Sequence, residues 1–490
     1  MSKHVLLLLP ADGLQRWHGA LARRIAADGA RLSWRMVATP ERPTASLRLL
    51  EQLESLLYAR GLSGATAALE PASLPPAAEG VADCVVDLAG GLTPGALTPL
   101  FDGRPEGAAR DAALLEGRAP HLALALPGAD GWRIVAEASP ALERPGVLEA
   151  GREAVAARLV TLIRQAVRNG PQAGRLQPPR PAPEGRAPLA YGAGALAARI
   201  AGRLRKIVAH EGHWRVGWRA CPPGAGALER RAWPSGAVWS WLPDDGARYY
   251  ADPFLFEEAG KTWLFLEEFP YATGKAVISV CEMGADGRAG PPQIVLERPC
   301  HLSYPLVFRA AGQIWMMPET SGAGTLELYR ADPFPHRWVL DRTLIEGQSI
   351  ADATFFEADG SFWLTAATAE DEGSSWDCLS LWRGPSPLGP WTRCGEGPVL
   401  VDVAAARPAG RVARIGGELW RPAQDCSAGY GSGLSLCRID RLGANFAQTI
   451  AARLAPPPGA PAQGVHTLNT CGGFETIDAV GPRIRTISRS

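Results

Sequence analysis

Along the first third of the chain, short apolar runs alternate with stretches of helical spacing. Val5–Leu9 reads as a buried strand, and Leu14–Ala27 puts Leu14, Trp17, Leu21 and Ile25 on one helical face. Leu32–Val37 and Cys84–Leu88 are further strands, Leu47–Leu57 a second helix, and Val147–Val167 a long closing amphipathic helix. Strands separated by helices predict a parallel sheet in a three-layer α/β domain over residues 1–170. Residues 171–190 then carry six prolines in twenty positions, the composition of an extended linker that neither a helix nor an inner strand accommodates.

From residue 191 the texture changes. Ala195–Val208 has the spacing of one amphipathic helix, and beyond it the chain is strand-rich with Trp, Gly and Pro punctuation. Five segments share a form: ADPFLF at 251–256, SYPLVF at 303–308, ADATFF at 351–356, ARPAG at 406–410 and VHTLN at 465–469. Each is followed by a second strand, and Trp263, Trp315, Trp363 and Trp420 recur at one point of it, which suits packing between units. A period near 50 residues with several strands per unit predicts an all-β five-bladed β-propeller over 191–490. The fifth unit runs out of chain after two strands. Its outer strands are expected from residues 213–242, which would leave no open sheet edge.

In a propeller the first residues of the innermost strands converge on one mouth of the central channel. Here they are Asp252, Tyr304, Asp352, Arg407 and His466, with Glu267, Glu268, Glu319, Gln424 and Asp425 at the second-strand ends. Carboxylates gathered with Arg and His shift one another's pKa values, as acid–base work requires, and Trp315, Trp420 and Tyr430 are placed to stack on sugar faces. The structural alternative is that an inner-strand Asp only hydrogen-bonds the backbone of the next blade.

Composition narrows the classes. Fifty basic residues balance fifty acidic ones over 490 residues, and no basic stripe exists, which argues against nucleic acid. No run approaches the roughly 18 apolar residues of a spanning helix, and Val5–Leu9 is too short for a signal-peptide core. The nine cysteines are odd in number and form no C-x-x-C pair, so reduced core residues and a cytoplasmic location are expected. The histidines outside the repeat show no metal spacing, and neither metal nor cofactor is expected.

The motifs ADPFLFE, WLFLEE, HLSYPLVF, MMPET, DATFF, ARPAG, AQDCSAGYG and GVHTLN resemble the propeller region of plant glucosamine inositolphosphorylceramide transferases and bacterial relatives. That region is in turn similar to five-bladed glycoside hydrolases of the arabinanase and fructosidase type. The resemblance covers about residues 213–490. It implies a carbohydrate role, with Asp252 at the position of the hydrolase base or nucleophile. On that reading Glu319 is the proton donor and Asp352 tunes and orients, while Tyr304, Arg407, Asp425 and His466 bind substrate. The hydrolases carry a second Asp where this chain has Tyr304, so a non-catalytic glycan or sugar-nucleotide binding module is the alternative. The first domain resembles a degenerate formyltransferase domain through VLLLLP and CVVDLAGG, with Asp87 ending a strand. It lacks that family's Asn-x-His pair, and a retained formyl or acyl transfer onto an amino sugar is the third reading. Partners are expected to be a carbohydrate or nucleotide sugar, with oligomeric state left open.

Overall fold

The computed structural model describes residues 3–39, 43–58, 60–91, 93–170, 175–177 and 186–484. The chain divides into two compact units. One comprises Met1–Ala201 with Glu370–Ser374, and the other Gly202–Ala369 with Ser375–Ser490.

In the first unit His4–Pro10 is the central strand of a three-stranded parallel sheet, flanked by Arg31–Val37 and Cys84–Asp87. Val5, Leu7 and Leu9 on one face are fully buried, and His4 and Leu8 on the other are buried too, so the strand is covered on both faces. The helices are α1 (Arg16–Ala27), α2 (Ala45–Tyr58), α3 (Gly107–Leu115) and α4 (Leu148–Asn169), and α5 (Pro188–Val208) begins in this unit and ends in the other. The predicted all-parallel sheet needs correction. Thr98–Phe101, Leu122–Gly128, Gly131–Ala138 and Leu176–Gln177 form a separate four-stranded antiparallel sheet. Its middle strand, LALALPG, alternates Leu with Ala, two apolar types, so the polar–apolar alternation that marks a half-buried strand is missing.

The predicted linker differs as well. Its residues 171–174 and 178–185 lie outside the described residues. Leu176–Gln177 pairs at a sheet edge with Trp132 and Arg133, and 188–190 open α5. Pro188 is its first residue, where a missing N–H leaves no helical bond unmade.

Among its described residues the second unit contains five antiparallel sheets. The first holds Arg248–Glu258, Lys261–Pro270, Val277–Met283 and Gln293–Leu296. The second holds Ser303–Ala310, Gln313–Glu319, Thr325–Ala331 and Trp338–Glu346. Ile350–Ala358, Ser361–Thr368 and Cys378–Gly384 make the third, with two short strands beside the last. The fourth runs Ala413–Ile415, Glu418–Asp425, Gly433–Arg441, Ala447–Leu454. In the fifth, Leu468–Cys471 and Phe474–Ile484 are completed by Ala209–Ala220 and Ser240–Trp241 from ahead of the first sheet.

Two features repeat. Every first-to-second hairpin turns through two residues of positive φ: Ala259-Gly260, Ala311-Gly312, Asp359-Gly360, Gly416-Gly417 and Gly472-Gly473. That is the backbone of a type I′ turn, whose twist matches the flanking strands. The second-strand tryptophans pair in register with Phe256, Phe308, Phe356 and Ala413, and Trp315, Trp363 and Trp420 are buried.

Neighbouring sheets are tied by polar bonds near the strand starts. Asp252 of the first accepts from the Tyr304 N–H of the second, and Glu319 of the second accepts from the Asp352 N–H of the third. Arg407, ahead of the fourth, donates to Asp352, and Arg411 N–H donates to Asn469 of the fifth. Thr467 then donates back to Asp252. The order of contacts is cyclic.

Candidate functional site

In the first three sheets one geometry positions the polar residue. The register slips between Ala251 and Phe254, Ser303 and Leu306, and Ala351 and Thr354. At each bulge a non-glycine residue adopts positive φ: Asp252 at 48°, Tyr304 at 47° and Asp352 at 54°. A left-handed residue in a strand is strained and re-aims its side chain, a feature that clusters at functional sites. The fourth and fifth positions differ. Arg407 and His466 precede the strands at Ala413 and Leu468; the predicted inner strand over 406–410 pairs with the second strand through an isolated bridge, Pro408 with Ala423, and the continuous strand begins only at Ala413.

The side chains form two groups. In the first, Asp478, fully buried, accepts four hydrogen bonds: from the N–H of Asp252 (2.9 Å), His466 (3.1 Å) and Thr467 (2.9 Å), and from His466 Nδ1 (2.6 Å). His466 Nε2 faces Asp252 Oδ1 at 3.9 Å, and that oxygen accepts from Thr467 Oγ1 at 2.8 Å. Burial pushes the Asp252 carboxyl up to about 7, with His466 pulling it back and Glu267 and Asp478 adding to the rise. Burial also works against the His466 cation, but the charge and hydrogen bond of Asp478 outweigh it and push that group up to about 9. In the second group Asp352 Oδ2 accepts from Arg407 Nε at 2.5 Å and from Gln424 Nε2 at 3.0 Å, with Glu319 Oε2 3.8 Å from Arg407 Nη2. Burial drives the Asp352 carboxyl upward against the pull of Arg407, which stays protonated beside it.

Aromatic rings line the same place. Trp214 stacks on the His466 imidazole at 3.8 Å, Tyr430 meets it edge-on at 5.4 Å, and Trp376 lies 5.4 Å from Tyr430. Arg407 sits 5.1 Å over the Tyr430 ring, which is about one-third exposed at 36%. Asp252, His466 and Asp478 are also the donor set that could hold a metal ion. Their oxygens already accept N–H and O–H bonds and His466 is held cationic, so the set has the character of an ion-paired network.

The structure thus brings together Asp252, Glu319, Asp352, Arg407 and His466, and separates two predicted residues from them. Tyr304 is 0% exposed; its ring packs edge-on to Phe254 at 4.6 Å and its hydroxyl bonds Thr354, so only its backbone serves the cluster. Its expected substrate contact is corrected accordingly. Asp425 folds back on the next loop, accepting from the Ser427 N–H at 3.0 Å, with Arg453 at 3.6 Å. Gln424, one residue earlier, is the member of that strand that reaches Asp352. Sequence reasoning missed Asp478, Thr467, Trp214 and Trp376. The signal for Asp478 was a lone acid inside the apolar run TIDAV.

Asp87 of the first unit borders a crevice of about 240 Å³ with His18, Asp12 and Arg110. Its carboxylate is taken up by the Ala89 N–H and the Thr93 hydroxyl. Among the described residues lining this crevice none is asparagine, and the sequence has none before Asn169, so the formyl-transfer reading loses its Asn-His-Asp relay.

Residues 243–456 match the family described as "Glucosamine inositolphosphorylceramide transferase 1, N-terminal". The rice (Oryza sativa subsp. japonica) protein of that name is 33% identical over 254 residues, covering 47% of this chain and 34% of its own length. The Arabidopsis thaliana protein is 30% identical over 255 residues, covering 48% and 33%. The chain therefore spans about a third of the length of these curated relatives. Among solved structures, a family 117 glycoside hydrolase from Zobellia galactanivorans aligns with a TM-score of 0.37 at 12% identity, over 55% of this chain and 91% of that one. RS223-β-xylosidase aligns at 0.37 and 10%, over 49% and 96%. In sequence, the strand-rich region is similar to the N-terminal region of plant glucosamine inositolphosphorylceramide transferases.

Proposed function

We propose that the chain from Gly202 onward is a five-bladed β-propeller whose strand-start cluster handles a glycosyl unit, making this a carbohydrate-active protein. The observation that carries the reading is the convergence, at the cyclic junction of five sheets, of two carboxylate–cation groups beside an aromatic rim. The name of the relatives, a transferase of glucosamine, supports sugar chemistry. Residues 1–170 form a separate domain in this reading, and the protein works in the cytoplasm on a glycan or nucleotide sugar.

In the catalytic form of the proposal Asp252 is the base. A carboxyl titrating near 7 accepts a proton from water or an acceptor hydroxyl as the new bond to the anomeric carbon forms. Glu319 gives its proton to the departing oxygen as the old bond breaks. Arg407 holds Asp352 in place, and His466 with Arg407 binds hydroxyls or an anionic group on the sugar. A screen of oligosaccharides and nucleotide sugars against wild type, Asp252→Asn and Glu319→Gln tests this. Turnover reduced about 10²–10⁴-fold in either variant, with binding retained, is the expected result.

One observation favours the binding-module reading. Both Asp252 oxygens are engaged, by Thr467 and by the Tyr304 N–H. Saturable sugar binding with no turnover across the screen would establish that alternative and remove the catalytic roles.

A further inference from the structure

The helix α5 is packed the wrong way round for a helix of a water-soluble domain. Leu189, Leu196, Ile200, Leu204 and Ile207 recur at steps of three, four and seven residues and so form one stripe. That stripe faces outward, with exposures from 42% at Leu196 to 70% at Ile207, and Val208 beside it is 61% exposed. The side that packs is a different one. Tyr191 is the helix's one buried residue and donates to Pro145 O at 2.9 Å, while the Arg199 guanidinium lies 4.6 Å over the Tyr58 ring of α2. The neighbour α2 repeats the pattern, leaving Leu49, Leu53, Leu56 and Leu57 between 43% and 81% exposed.

The charges beside the stripe have one sign. Arg199, Arg203, Arg205 and Lys206 lie within α5, and no Asp or Glu occurs between Pro188 and Val208. Glu211 pairs with Arg205 at 2.6 Å, whereas Arg203 and Lys206 have no carboxylate partner among the described residues. In a chain of zero net charge this is a local concentration of cations. No described helix is long and apolar enough to cross a membrane. An amphipathic helix with an apolar stripe, basic flanks and no acids is built to lie in a membrane interface, with its stripe in the acyl boundary and its cations among anionic headgroups.

We propose that α5 docks the protein on an anionic lipid surface through its apolar stripe. The proposal is independent of the sugar site, because none of the cluster residues lies on α5.

The experiment is co-sedimentation of the full chain with vesicles of phosphatidylcholine alone and of phosphatidylcholine with phosphatidylglycerol. Wild type is expected to pellet with the anionic vesicles and to be released by salt. Combined Ile200→Glu, Leu204→Glu and Ile207→Glu should abolish pelleting. Arg203→Gln with Lys206→Gln should lower partitioning by roughly five-fold per cation removed. These side chains are exposed, so melting curves should match wild type, and the charge pair keeps the test valid if the triple variant misfolds. Wild type that ignores anionic vesicles, or a triple variant that still binds them, overturns the proposal. So does a dimer in light scattering that the triple variant dissolves, which would make the stripe a contact between copies of the chain.

Discussion

The first three sheets of the strand-rich unit and the last two solve the same problem differently. In the first three, a bulge with a left-handed Asp252, Tyr304 or Asp352 turns the side chain at a fixed point of the strand. In the last two, Arg407 and His466 arrive on backbone ahead of the strand, and Gly410, at φ 140°, fits where a Cβ would collide with the Leu468 carbonyl. The strained positions supply two carboxylates and a backbone N–H, and the unstrained ones supply both cations. A sequence repeat therefore marks where the chain turns, while the charge at each turn is free to differ. Pairing across the repeat, Asp352 with Arg407 and Asp252 and Asp478 with His466, then fixes the site.

Substitutions that unpair the two halves should have the largest effects. Asp478→Asn leaves the His466 cation buried without its counter-ion and should lower unfolding free energy by about 3–5 kcal/mol in denaturant titration. Retention of wild-type stability would mean the network is not ion-paired.

Next is pH. His466 titrates near 9 in the fold against an ordinary 6.5, so its contribution is fully present below 6.5 and is lost as pH rises through about 9. That contribution is on the order of 3 kcal/mol. Asp252, raised from 3.8 to about 7, acts in the same direction over the lower window. Below pH 6.5 the buried His18, pushed down to about 3, and His213, also pushed down by burial, act in the opposite direction, so the clear window is pH 6.5 to 9: stability should fall across it, and a flat profile of melting temperature there would contradict the His466 shift. Asp478→Asn should flatten the upper half of the curve.

Tyr304→Phe removes one buried hydroxyl contact with Thr354 and should cost about 1 kcal/mol while leaving ligand affinity unchanged. A large affinity loss would return Tyr304 to the site. The smallest effect is expected at Asp425→Ala, within about 0.5–1 kcal/mol in a melting assay and without change in sugar binding.

Much of this was legible in the sequence because it repeats. The tryptophan of four second strands and the polar residue of all five units recur at about 50-residue spacing, and so repeated a signal survives local ambiguity. The paired small residues at the hairpin tips, ending in Gly260, Gly312, Gly360, Gly417 and Gly473, carried the same period and went unread. What did not repeat was hidden. Asp478 occurs once, inside a strand that reads as apolar core. Leu122–Gly128 lacks the polar–apolar contrast that reveals a strand. The outward stripe of α5 obeys the helical period perfectly well, since periodicity shows that a helix has an apolar face but not whether anything covers it.

The fifth sheet has a consequence for biosynthesis. Arg219 and Glu475 form a buried ion pair, yet 256 residues separate them along the chain. At a synthesis rate of 5–20 residues per second, Ala209–Ala220 waits roughly 13–50 s on the ribosome before Phe474–Ile484 emerges to pair with it. For that interval it is an unpaired edge carrying Trp214 and Trp218, the kind of surface that invites wrong partners. The nascent chain is most vulnerable to chaperone loss during this window, and the arrival of Phe474–Ile484 ends it.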